Sequence, residues 1–192
     1  MVIWAVAQAI YPGEQVSGDA YTVQQREQAV LLAVIDGLGH GPKAAEAAQR
    51  AVHTLAGWAG GEPAQVMRLL DDRLRGTRGA AVSLAVIEGA ALMWLGVGNV
   101  SGVVLRAADG RRDHLRTVGG IVGYRLPSLR PEHHRLNEGD RIVLATDGVQ
   151  QGFIEAIHTG ETLQASADRV LAVYRRKQDD ALILIGQFSL RN

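Results

Sequence analysis

Apolar residues along this chain fall in runs of two periods, and each run predicts an element. Val2–Ile10 is apolar and rich in β-branched residues until Tyr11-Pro12-Gly13 breaks it, and Ala20–Val23 follows Ser17-Gly18-Asp19. Ala29–Ile35 is apolar without interruption, the pattern of a buried strand, and stops at Asp36-Gly37-Leu38-Gly39-His40-Gly41. Helical spacing then takes over. Pro42 sits where a first-turn proline belongs, and Ala45, Ala48, Val52, Leu55 and Ala59 predict a face that can lie close on a sheet. Gly60-Gly61 ends this helix, and Pro63 opens a second with Val66, Leu69, Leu70 and Leu74 on one side. So short a link predicts antiparallel neighbours.

Strands return after Gly79. Ala80–Ile87 with Ala90–Val97, and Val103–Ala107 with Arg111–Val118, read as two hairpins, and Arg141–Thr146 as a further strand. A short helical stretch near Val149–Ile157 precedes a helix with Leu163, Ala167, Val170, Leu171 and Tyr174 on one face, which Arg175, Arg176 and Lys177 end. Ala181–Gln187 is the last strand. Eight or so strands joined largely by hairpins, with helices in two separate pairs, predict an α/β (α+β) protein. The simplest packing is a four-layer αββα sandwich, two mainly antiparallel sheets flanked by helices.

Composition narrows the class. At 192 residues the chain is expected to be one domain, residues 1–192. Twenty Lys and Arg balance twenty Asp and Glu, so no broad basic field draws in nucleic acid or an anionic membrane. The longest apolar run is seven residues, against the ~18 of a membrane span. Met1-Val2-Ile3-Trp4 lacks a basic secretory n-region, and a cytoplasmic location is expected. There are no cysteines, which excludes disulfides, a thiolate nucleophile and thiolate metal sites. Any metal must therefore sit on oxygen or imidazole.

The aspartates carry the chemistry. Asp36 and Asp147 close strands, whereas Asp19 and the pair Asp179-Asp180 open them. In antiparallel sheets the C-end of one strand lies beside the N-end of its neighbour, so all four strands can deliver a carboxylate to one rim. Two carboxylates at ~4 Å repel by roughly 4 kcal/mol at an effective dielectric near 20. Two divalent cations would balance four such charges, and hard oxygen ligands favour Mg²⁺ or Mn²⁺. Gly37 and Gly148 are expected to leave room for close metal approach, with a backbone carbonyl as a further ligand. Such a pair of ions can activate a water and clamp a phosphoryl group for in-line attack. Taken singly, an Asp-Gly pair is more often a turn, as Asp109-Gly110 is read here; the shared rim is what sets the others apart.

Other features read more simply. Gly37-x-Gly39-x-Gly41 could cradle a phosphate, but the third glycine of a dinucleotide fingerprint falls on Pro42, and no Gly-Lys-Ser/Thr of a P-loop is present. Gly96–Gly102 is expected to be a tight turn, His133-His134 an exposed pair, and Asp71-Asp72 and Arg175–Lys177 solvated helix faces. Trp58 and Trp94 are expected in the core.

Ser17-Gly18-Asp19, Val34–Gly41, Ala145-Thr146-Asp147-Gly148 and Asp179-Asp180-Ala181, in that order, resemble the metal-dependent PP2C-type protein phosphatases, specifically the bacterial SpoIIE-like branch. The resemblance spans most of the chain. It implies a binuclear Mn²⁺ or Mg²⁺ centre in which Asp36 bridges both ions and the Gly37 carbonyl binds one. Asp147 and the Asp179-Asp180 pair supply the other, and Asp19 acts directly or through a water. A metal-bridging water would attack phosphoserine or phosphothreonine directly, with His40 a candidate proton donor to the leaving group. The catalytic pattern begins within twenty residues of Met1, leaving no room ahead of it for a sensor domain. That resembles the stand-alone stressosome feedback phosphatases of the RsbX type, whose substrates are phosphorylated STAS-domain proteins. Three positions depart from the pattern: Leu182 stands where the family has Thr, Leu38 where eukaryotic members have His, and the phosphate-binding Arg of those members has no clear counterpart. The alternatives are a nucleotide-binding α/β protein and a catalytically inactive phosphatase fold kept for docking.

Overall fold

The computed structural model describes residues 1–158 and 160–190. The first strands are β1 (Val2–Ala9), β2 (Asp19–Gln25) and β3 (Ala29–Gly37), followed by α1 (Pro42–Ala56) and α2 (Pro63–Leu74). Then come β4 (Ala80–Glu88), β5 (Ala91–Val97), β6 (Ser101–Leu105), β7 (Arg112–Leu115), β8 (Thr117–Val118), β9 (Glu132–Arg135) and β10 (Arg141–Ala145). A 3-10 turn (Phe153–Ala156), α3 (Leu163–Tyr174) and β11 (Ala181–Phe188) complete the described elements.

The strands form two sheets, in the orders β1-β11-β10-β6-β7 and β2-β3-β4-β5-β8, with β9 also paired to β5. Every pairing is antiparallel except β5 with β8. Alternation along the buried strands shows why their sequences are apolar throughout. Leu31, Ala33 and Ile35 of β3 face α1 and α2, whereas Val30, Leu32 and Val34 face the other sheet. On β11, Leu182 and Leu184 enter the inter-sheet core while Ala181, Ile183 and Ile185 pack beneath α3. Both faces of these strands are covered, so period two is hidden in a continuous hydrophobic run. The layers are helix, sheet, sheet, helix, the expected αββα sandwich. Trp94, fully buried, spans the sheets; a Cβ at Gly102 would lie 2.3 Å from its ring, and its indole N–H donates to the Arg116 carbonyl at 2.8 Å. Trp58 is buried too.

Several local expectations are corrected. The sheet-facing side of α1 is Ala44, Ala47, Ala48, Ala51 and Leu55; Ala45 and Val52 are half-buried, and Ala59 lies past the helix end, exposed. The first turn of α1 approaches the β3 backbone closely, which sets this phase. On α2, Leu69 points to solvent and Met67 takes the core position. Arg111–Val118 is not one strand. It breaks at Arg116, and β7 joins β6 in one sheet while β8 joins β5 in the other. His133 and His134 belong to β9, a polar edge strand that no hydrophobic alternation announces. The second helical pair reduces to one 3-10 turn and α3.

Candidate metal centre

Asp19 and Asp36 stand directly opposite each other in the β2–β3 register, at the rim end of their sheet. Cβ atoms so placed lie ~5 Å apart, where like charges repel. The other sheet supplies its carboxylates next to this pair. β10 runs out at Ala145 and continues through Thr146 to Asp147, and antiparallel β11 starts just after Asp179 and Asp180. Thr146 fastens the two sheets at this point. Its hydroxyl donates to Asp19 Oδ2 at 2.7 Å and accepts the Leu182 backbone N–H at 2.9 Å. Asn99, on the turn that carries the chain from β5 across to β6, donates its amide to Asp147 Oδ2 at 2.7 Å and favours the charged form of Asp36.

The Asp179-Asp180 pair separates into two roles. Asp180 is buried, and its oxygens accept the backbone N–H groups of Tyr11 (2.8 Å) and Gly18 (2.9 Å). It thereby holds the loop that delivers Asp19. Asp179 is half-buried and lies within electrostatic reach of Asp147.

Glycine is required at both expected positions, for a different reason from room for a metal. A Cβ on Gly37 would sit 2.2 Å from the Ala44 carbonyl oxygen, and one on Gly148 would sit 1.7 Å from the Asp180 carbonyl oxygen. The first lets α1 close on β3; the second lets the Asp147 turn close on the start of β11. His40 is engaged elsewhere: its Nδ1 lies 2.8 Å from Glu14 Oε1, and its ring stacks on Tyr11 at 4.1 Å. The structure ties it to the loop before β2 and gives it no hydrogen bond to the aspartates among the described residues.

The electrostatics are those of uncompensated carboxylates. Burial, then repulsion from Asp180, Asp179 and Asp147, pushes Asp19 up to about 7 even though the Thr146 hydroxyl works against this. Burial and the charges of Asp19, Asp147 and Asp179 push Asp36 up to about 8. Asp179 is raised as well, by burial and then by Asp147. Among the described residues none of these aspartates forms an ion pair with lysine or arginine. Burial is the larger cause at each of the three, and repulsion among the neighbouring carboxylates adds to it. The donor set, all aspartate oxygen with no sulfur, suits Mg²⁺ or Mn²⁺. Among the described residues no three carboxylate or imidazole groups already converge to enclose an ion, so occupancy requires the side chains to draw in.

The Stage II sporulation protein E (SpoIIE) family matches residues 26–188. The chain belongs to the SpoIIE family, as a PP2C-type phosphatase domain. This SpoIIE-family domain is 21% identical over 180 residues to the phosphoserine phosphatase RsbX of Bacillus subtilis (strain 168), covering 92% of this chain and 90% of that protein. A solved chain from work on the bacterial stressosome, a modular system adapted to control secondary messenger signalling, is 28% identical, with a TM-score of 0.88 over 97% of this chain and 99% of that one. RsbX in complex with magnesium is 20% identical and superposes with a TM-score of 0.85, over 98% of this chain and 96% of that one. The PP2C domain of SpoIIE from Bacillus subtilis gives 0.79 at 19% identity, over all of this chain and 65% of that one. The last two likenesses concern the fold.

Sequence reasoning missed two residues of the site. Asn99 was hidden in a glycine-rich turn that reads as a connection only, and Thr146 appeared merely as the residue before an Asp-Gly pair. Each works through contacts with residues 48 and 127 positions away, which no local pattern carries.

Proposed function

We propose that this SpoIIE-family domain is a metal-dependent protein serine/threonine phosphatase that acts on a phosphorylated STAS-domain partner of a stressosome-like assembly, in the cytoplasm. The carrying observation is the meeting of Asp19 and Asp36 from one sheet with Asp147 and Asp179 from the other, uncompensated and locked together through Thr146. Asp36, Asp147, Asp179 and the Gly37 carbonyl would hold two Mn²⁺ or Mg²⁺ ions, with Asp19 contributing directly or through a water. When bound, these ions supply an activated water and neutralise charge on the phosphoryl group. The chain's own part is to bring the carboxylates to one rim, from which their side chains can draw in on the ions. Register fixes Asp19 against Asp36, Thr146 fixes Asp19 against β10 and β11, and Asn99 holds Asp147 beside Asp36. Asp180 acts one step back, through the Tyr11–Gly18 loop.

The partner class rests on the likeness to RsbX and to a chain from the stressosome, together with a neutral overall charge that favours recognition by local contacts. The nucleotide-binding alternative needs a parallel βαβ unit around Gly37–Gly41, but β3 and β4, which flank α1 and α2, pair antiparallel. The test is hydrolysis of p-nitrophenyl phosphate with Mn²⁺, with EDTA and by Asp36→Asn, followed by a phosphorylated STAS-domain protein. Metal-dependent turnover abolished by the substitution is expected. A folded wild type inactive on both substrates with either metal would leave a docking module.

A further inference from the structure

The run Arg175-Arg176-Lys177 reads in sequence as a solvated helix end, yet the structure folds part of it onto the acidic rim. α3 stops at Tyr174, and the chain turns back along the residues that follow β10. Val149 and Arg175 form an antiparallel bridge, and the Gln150 N–H donates to the Tyr174 carbonyl at 2.8 Å. Arg176 is then clamped twice to the Asp147-Gly148 turn. Its backbone N–H donates to the Gly148 carbonyl at 2.7 Å, and its Nε donates to the Asp147 carbonyl at 2.9 Å. Its guanidinium lies within electrostatic reach of Asp179. Its two terminal nitrogens carry no hydrogen bond among the described residues, and the side chain is exposed.

Charge counting shows what such a group is for. The five aspartates of the rim, when ionised, exceed the charge of two divalent cations by one. A dianionic phosphoryl group would approach a rim that is still net negative. An arginine whose stem is fixed by Nε presents its remaining nitrogens as a fork, the geometry that matches two phosphate oxygens. We propose that Arg176 binds the phosphoryl group of the substrate. This deepens the phosphatase reading and rests on it. A competing cation is Arg78, which donates to the Leu38 carbonyl at 3.4 Å. That bond is long, and no aspartate of the cluster is held by it.

The full-length chain is tested as wild type, Arg176→Ala, Arg176→Lys and Arg78→Ala, each loaded with Mn²⁺. Three readouts are taken: Mn²⁺ affinity by calorimetry, binding of inorganic phosphate to the loaded protein by the same method, and KM and kcat on p-nitrophenyl phosphate. Losing a charge-assisted pair of hydrogen bonds corresponds to roughly a 10- to 100-fold change. Arg176→Ala is expected to weaken phosphate binding and raise KM by that factor, with Mn²⁺ affinity and melting temperature held; Arg176→Lys recovers part of the loss and Arg78→Ala changes neither. Unchanged phosphate binding in Arg176→Ala overturns the proposal, and so does a loss matched by an equal loss of Mn²⁺ affinity, or a loss seen in Arg78→Ala instead. A wild type that binds Mn²⁺ and phosphate but turns nothing over refutes the phosphatase reading while the phosphate titration still decides the role of Arg176.

Discussion

Asp19 is buried and Asp36 half-buried beside it, and among the described residues neither carboxylate has a cationic side chain as its ion-pair partner. Their folded-state values lie near 7 and 8, against 3.8 for a free aspartate. Between those limits the folded, metal-free protein binds more protons than the unfolded chain, so stability falls as pH rises from about 4 towards 8. Thermal unfolding in EDTA is expected to give a lower melting temperature at pH 8.5 than at pH 5. Asp36→Asn should flatten that dependence and raise the metal-free melting temperature at pH 8.5; a variant no more stable than wild type there would refute the electrostatic account. Thr146 acts as a positioning residue. Thr146→Val leaves the Leu182 N–H without its acceptor and Asp19 without its donor, a cost of about 1–3 kcal/mol. Urea unfolding should show that loss, activity should fall with it, and Thr146→Ser should restore most of both.

At the scale of elements, backbone packing against backbone sets the rim. The Asp147 turn touches the start of β11 so closely that Gly148→Ala places a methyl group on the Asp180 carbonyl. Overpacking of this kind against main chain is expected to cost about 3 kcal/mol or more, measured by chemical denaturation. Because the displaced group is the backbone beside Asp179, Mn²⁺ affinity should weaken in the same variant; a variant of wild-type stability would show that the turn can move aside. The phase of α1 has the same origin. Gly37 admits the Ala44 backbone, four alanines lie flat beneath it, and the helix turns Ala45 and Val52 towards its edge.

The whole molecule brings the rim together by stacking two sheets whose ends coincide. Neither sheet holds enough carboxylates alone: Asp19 and Asp36 come from one, Asp147 and Asp179 from the other. Cation binding should therefore tie the sheets together and stabilise the fold globally. At a free Mn²⁺ concentration a hundred times the dissociation constant, the gain is about 2.7 kcal/mol. For a chain of this size that is about 5–10 °C in melting temperature, reversed by EDTA and absent in Asp36→Asn. Differential scanning calorimetry with and without Mn²⁺ reads it directly.

Much of this was legible along the chain. Continuous apolar runs bounded by aspartate marked the central strands, and the four motifs marked the family, because strand burial and turn chemistry are written in neighbouring residues. What the tertiary structure decided was every relation between distant segments. It split Asp179 from Asp180, one facing the cluster and one holding the Tyr11–Gly18 loop. It assigned Gly37 and Gly148 to backbone contacts, moved β8 to the second sheet, and made β9 a strand although its sequence is Glu-His-His-Arg. It also revealed Asn99, Thr146 and Arg176, whose partners lie 48, 127 and 29 residues away. Hydrophobic period and turn propensity are local quantities. Which carboxylate keeps a free lone pair depends on the hydrogen bonds it has already accepted, and those are settled only when the two sheets meet.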